Sequence, residues 1–142
     1  TGKKDAGKKN LAKALEYQLF KDGKIVYFLG IGNVLYGVDA DIKGIKDKKE
    51  NEEHLRRLAE VSNILLDAGI ILIVTAVELT QNDLELIKAT VNTDKIETIW
   101  IGEEITSDIH VDFHLLQIKS EEDTINIIKN LLQDKGIIFK PI

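Results

Sequence analysis

Ile70-Ile71-Leu72-Ile73-Val74-Thr75-Ala76-Val77 is the stretch on which the fold turns. It shows no polar alternation, is rich in β-branched side chains and follows Gly69, so it predicts a central parallel strand covered on both faces. It is also the longest apolar run in the chain, far too short to span a bilayer. Just upstream, Glu50–Ala68 carries Leu55, Leu58, Ala59, Ser62, Leu65 and Leu66 on one stripe and stops at Gly69, which predicts an amphipathic helix. Downstream, Thr80 with Asp83 three residues on predicts a capped helix to about Val91.

The same alternation extends to both ends. Leu11, Leu15 and Leu19 mark a helix over about Lys8–Asp22, closed by Gly23, and Lys24–Leu29 reads as a short buried strand. Ile96–Ile101 and Phe113–Ile118 read as further strands. Ser120, with Asp123 three residues on, opens a last helix whose Ile125, Ile128, Leu131 and Leu132 face inward, with Gly136 at its end and Pro141 beyond. Helices alternating with strands across short links predict parallel βαβ units: an α/β fold, a doubly wound parallel sheet with helices on both faces, in one domain over 1–142. Gly30–Lys49, rich in Gly, Asp and Lys, reads as a long loop of the kind that carries function.

Composition narrows the function classes. The chain has 142 residues, 44% hydrophobic and 30% charged, which is globular usage and argues against disorder. With 19 Lys and Arg against 24 Asp and Glu, the net charge of −5 argues against a general nucleic-acid binder. No cysteine is present, so neither a disulfide framework nor a cysteine-ligated metal is available; a reducing, cytoplasmic setting fits. No membrane partner is expected.

Gly2-Lys3-Lys4-Asp5-Ala6-Gly7-Lys8-Lys9 fits G-x-x-x-x-G-K and runs straight into the first helix. In a loop of this pattern, backbone N–H groups and the helix N-terminus cradle phosphates, and the lysine reaches their outer oxygens. Gly2, Lys3, Lys4, Gly7, Lys8 and Lys9 are therefore the candidate nucleotide- or anion-binding residues. The bland alternative is a solvated Lys/Gly-rich lead into a helix. The Ser or Thr that would hold Mg²⁺ at the final position is Lys9. Such a loop follows a strand, and Thr1 already lies inside it. The expectation is that the strand before the loop lies upstream and that the sequence is cut from a longer protein.

Gly30-Ile31-Gly32 after the first strand lacks the third glycine and helix of a dinucleotide fingerprint. Glu53/Arg57 and Arg56/Glu60 are i, i+4 pairs of a solvated helix face. His110, Asp112 and His114 alternate, which could present metal ligands, but such alternation is usually the wet side of a strand; no metal site is expected.

Taken in register, four segments resemble the adenylylsulfate kinase family: Thr1-Gly2 through Gly7-Lys8, Leu29 through Asn33-Val34 to Gly37, Arg56-Arg57 with Ala59-Glu60-Val61, and Asp67-Ala68-Gly69 before the apolar strand. From Ile96 onward the likeness is in strand–helix layout. The resemblance implies a P-loop fold. It also implies passage of the γ-phosphate of MgATP to the 3′-hydroxyl of adenosine 5′-phosphosulfate, with Asn33 and Arg56 among the substrate-binding positions. The departures matter as much. Gly30 and Gly32 stand where the family has aspartates, and Leu35 where it has an arginine. Asn51 and His54 replace an arginine and an asparagine that touch the sulfate-bearing nucleotide, and Ala76-Val77-Glu78-Leu79 replaces Phe-Ile-Ser-Pro. The lid between the last strands shrinks to about Gly102–Val111.

These losses predict a catalytically degenerate relative that binds a nucleotide or small anion, requires no cofactor and has no assignable catalytic residue. Family habit implies fusion to, or association with, a sulfate adenylyltransferase/GTPase domain. The alternative is an active kinase that uses ATP with Mg²⁺ and recruits Asp39, Asp41 or Glu78. An unrelated flavodoxin-like scaffold is the third reading.

Overall fold

The computed structural model describes residues 1–29, 48–91 and 94–139. Its elements follow the predicted order: α1 (Lys8–Lys21), β1 (Val26–Leu29), α2 (Lys48–Asp67), β2 (Ile71–Val74), α3 (Gln81–Thr90), β3 (Ile99–Ile101), β4 (Phe113–Leu115) and α4 (Glu121–Asp134). The helix ends sit where cap chemistry puts them. Thr80 and Asp83 form a reciprocal capping box on α3, and the Ser120 hydroxyl accepts from the Asp83-like position of α4, Asp123 N. The strands are shorter than their apolar runs. Of the Ile70–Val77 run, Ile71–Val74 pairs with β1 and Val77 forms a single bridge to Gly2.

Pairing is parallel throughout. β1 joins β2 with Val26 opposite Ile71 and Leu29 opposite Val74, and β3 joins β4 with Ile99 opposite Phe113 and Ile101 opposite Leu115. Thr1 and Gly2 lie between these two ladders, with Gly2 bridging Val77 on one side and Ile101 on the other. Thr1 O accepts from Ile101 N at 2.8 Å, Gly2 O accepts from Glu78 N at 2.9 Å, and the Thr1 nitrogen donates to Ile99 O at 2.8 Å. The lateral order is thus β1, β2, Thr1–Gly2, β3, β4.

Helices cover both faces. Leu11, Leu15 and Leu19 of α1 pack with Ile125, Ile128 and Leu132 of α4 against one face, where Ile71, Ile73, Ile99 and Ile101 point. Leu55 and Leu58 of α2, with Leu86 and Ile87 of α3, cover the other face over Leu29 and Leu72. β2 thus feeds both layers by alternation, as a central strand of a doubly wound sheet does, although its residues are half-buried rather than sealed. A third cluster holds Leu84, Ile109 and Trp100 beneath the 102–111 segment, and the Trp100 indole donates to Glu104 O at 3.0 Å. No helix among the described residues is long and apolar enough to cross a membrane.

Candidate functional site

The parallel strands end on one side of the sheet, and there the G-x-x-x-x-G-K segment leaves it. Gly2 must be glycine for a local reason: a Cβ would stand 2.3 Å from the carbonyl oxygen of Ile101. Residues 3–7 form the loop, with an Ala6 N–H to Lys3 O turn at 3.2 Å, Asp5 at φ 63° and Gly7 at φ 86°. Gly7 is the N-cap of α1 and offers no side chain to the free amides of the first turn, and no acidic residue sits there. The loop therefore presents backbone donors and a positive helix end at the mouth of the sheet.

The four lysines do not share one environment. Lys8 is buried, and its ammonium donates to Lys3 O at 2.5 Å and Gly2 O at 3.3 Å, pinning the loop to its own base. Burial pushes its pKa below the usual lysine value, opposed by the charges of Asp5 and Glu78. Lys3, Lys4 and Lys9 are exposed around the rim. The Lys8 clamp could not be read from the sequence, where all four lysines look alike.

Beside the loop lies a cleft of about 200 Å³ at the tips of β1 and β2, between α2 and α3. Asn51, His54, Asp83, Thr75, Val77 and Leu79 are among its walls. Loop and cleft share a seam, since Gly2 pairs with Val77 and Leu79 N donates to the Thr1 hydroxyl at 2.9 Å. Asn51 and His54, the two replaced positions on α2, both reach this cleft. Asp83 joins them: one of its oxygens accepts from the Asn51 amide at 3.3 Å, the other from Thr80 N at 3.1 Å. In the sequence Asp83 signals only a helix cap; nothing marks it as a cleft wall.

Arg56 stands elsewhere. It is exposed on α2 and holds Glu53 through Nε at 3.0 Å and Nη2 at 2.7 Å, while Arg57 Nε takes the same carboxylate at 2.8 Å. The two guanidiniums hold the Glu53 carboxyl down to about 2. Arg56 is not among the cleft walls. Gly30, Gly32, Asn33, Leu35, Asp39 and Asp41 lie outside the described residues.

The 102–111 segment closes over the β2–α3 turn. Ser107 donates to Leu79 O at 2.7 Å, the Thr106 hydroxyl donates to Glu78 Oε1 at 2.7 Å, and His110 N donates to Gln81 Oε1 at 2.8 Å. His114 Nε2 lies 2.5 Å from Gly102 O, and Asp112 accepts from Thr98 N and its hydroxyl, both at 2.9 Å. These side chains serve the β3–β4 end of the sheet. Among the described residues no three His, Asp or Glu side chains group as metal ligands.

Mg²⁺ is the metal that the resemblance implies, and the described donors do not fit it. That ion wants six oxygens in near-octahedral array, commonly including the hydroxyl next to the loop lysine. Lys9 brings an ammonium to that place, and Glu78, the carboxylate after β2, already accepts from Thr106.

Comparisons with known proteins agree with the geometry. The family model described as adenylylsulphate kinase matches residues 1–132. The adenylyl-sulfate kinase of Shewanella amazonensis is 33% identical over 107 residues, covering 75% of this chain and 52% of the relative. That of Clostridium acetobutylicum is 40% identical over 75 residues, covering 53% and 36%. The chain thus spans about half the length of the first of these curated relatives or less. Among solved structures, a cysteine-to-alanine mutant of the Mycobacterium tuberculosis APS kinase superposes with TM-score 0.82 at 24% identity, covering 94% of this chain and 93% of that one. The same enzyme in complex with AMPPNP and APS superposes with TM-score 0.81 at 20% identity, covering 94% of each. These two likenesses concern the fold.

Proposed function

The chain belongs to the adenylylsulphate kinase family, and from that premise we propose that it binds a nucleotide or small anion at the Gly2–Lys9 loop without transferring a phosphoryl group. The observation that carries this reading is the contrast within the loop. An N-cap without a side-chain bond, a buried Lys8 clamp and a cationic rim support a cradle, while Lys9 stands where the resemblance puts the metal-holding hydroxyl. Phosphoryl transfer needs placed charge at the metal, at the acceptor hydroxyl and at the transferred group. By the resemblance, Gly30 and Gly32 remove the carboxylates that would orient the acceptor. Losing one such electrostatic contact commonly costs about 10²–10³ in rate, so several losses together leave binding as the surviving property.

The cleft supports the same reading from the acceptor side. Its polar walls include Asn51, His54, Thr75 and Asp83, and by the resemblance Asn51 and His54 stand where the family has an arginine and an asparagine that touch the sulfate-bearing nucleotide. The described residues enclose about 200 Å³ of the cleft, directly beside the loop. Isothermal calorimetry with ATP, adenosine 5′-phosphosulfate and sulfate tests the proposal. Saturable heat with at least one of the three is the expected result; no heat with any of them overturns it.

A further inference from the structure

The misfit between the loop and Mg²⁺ has a consequence for which ionic form of a nucleotide the site selects. Lys8 is spent on the Gly2 and Lys3 carbonyls, so it acts first as a clamp that shapes the cradle. Lys9 follows it in the first turn of α1, exposed and without an ion pair among the described residues. Its charge adds to the positive end of the helix at the same mouth. A magnesium ion brought in with a triphosphate meets this ammonium where its relatives offer an oxygen. The metal-free triphosphate also carries two more negative charges toward the same cations.

We propose that Lys9 takes the electrostatic place of the metal, so that the loop prefers the metal-free polyphosphate and Mg²⁺ competes against binding. This rests on the nucleotide-binding reading and adds the sign of its metal dependence. Calorimetric titration of the full chain with ATP in EDTA and in excess MgCl₂ tests it, alongside Lys9→Thr, Lys9→Ala and Lys13→Thr. Lys13 is an exposed residue of α1 outside the loop and serves as the control.

For the parent chain, Kd in EDTA should be about two- to fivefold tighter than in Mg²⁺, the worth of one exposed charge contact. Lys9→Thr should reverse the preference, Lys9→Ala should bring the ratio close to one, and Lys13→Thr should leave it unchanged. Binding of the parent chain that tightens with Mg²⁺ overturns this inference while leaving the nucleotide-binding reading intact. An EDTA preference that survives both Lys9 substitutions, or disappears in Lys13→Thr, overturns it too, by showing a diffuse charge effect. Absence of ATP heat in both buffers overturns this inference as well, whereas the binding reading falls only if adenosine 5′-phosphosulfate and sulfate also give none.

Discussion

Replacing Gly2 by alanine attacks the joint between the two ladders and the foot of the loop at once. The new Cβ would lie 2.3 Å from the Ile101 carbonyl oxygen, and both clashing groups belong to the backbone, so no rotamer change relieves the contact. The strands must separate. Overpacking of this kind typically costs about 1–3 kcal/mol, and the Thr1 O–Ile101 N and Gly2 O–Glu78 N hydrogen bonds that flank it are each worth about 0.5–1.5 kcal/mol. Partial loss of both gives roughly 2–4 kcal/mol in all. For a domain of this size that lowers Tm by about 5–12 °C. Urea unfolding with a thermal scan reads it directly, using the emission of Trp100, the only tryptophan and fully buried, as the probe. A variant that melts within about 2 °C of the parent would refute the placement of Thr1–Gly2 between β2 and β3.

Three other perturbations separate parts of the account. Thr80→Ala removes half of the capping box on α3 and should cost about 1 kcal/mol, or about 2–4 °C in Tm, with the unfolding slope unchanged. Lys8→Met keeps the volume but frees the Gly2 and Lys3 carbonyls, and should lower stability by about 1–2 kcal/mol in urea titration; an unchanged midpoint would mean the clamp does not hold the loop. Glu97 is buried beside Asp112, and both effects raise its carboxyl above the ordinary value despite Lys135 at 3.7 Å. A carboxyl raised in the folded state favours folding while protonated, and that contribution is lost as pH climbs through its folded pKa. Glu97→Gln should therefore raise Tm at neutral pH and change it little at pH values below about 4; the opposite pattern in a pH series of thermal scans would reverse the sign assigned here.

How much of this was legible in the sequence depends on how local each cause is. Helix ends were legible because their signals are short-range: Thr80 with Asp83, Ser120 with Asp123, and Gly23, Gly69 and Gly136, all at positive φ. The two-faced sheet was legible from the unalternating Ile70–Val77 run, and Ile71, Ile73 and Leu72 do divide between the two helical layers. Strand ends were not, since an apolar run says nothing about where its partner stops. Phe113–Ile118 shortens to Phe113–Leu115 for that reason.

The site divides in the same way. The loop pattern is contiguous and its glycines announce it. The burial of Lys8 rather than Lys9, and the meeting of Asn51, His54 and Asp83 from two helices, depend on contacts between residues far apart in the chain. Arg56 illustrates the converse: its neighbour Glu53, three residues away, takes its guanidinium on the exposed side of α2.

The proposed function holds that the loop still binds a nucleotide or small anion while phosphoryl transfer has been lost. Incubating the chain with MgATP and adenosine 5′-phosphosulfate and following ADP release in a coupled assay tests it most directly. Release should be no faster than in a protein-free control. Turnover at the rate of an ordinary kinase of this family, dependent on adenosine 5′-phosphosulfate, would contradict it.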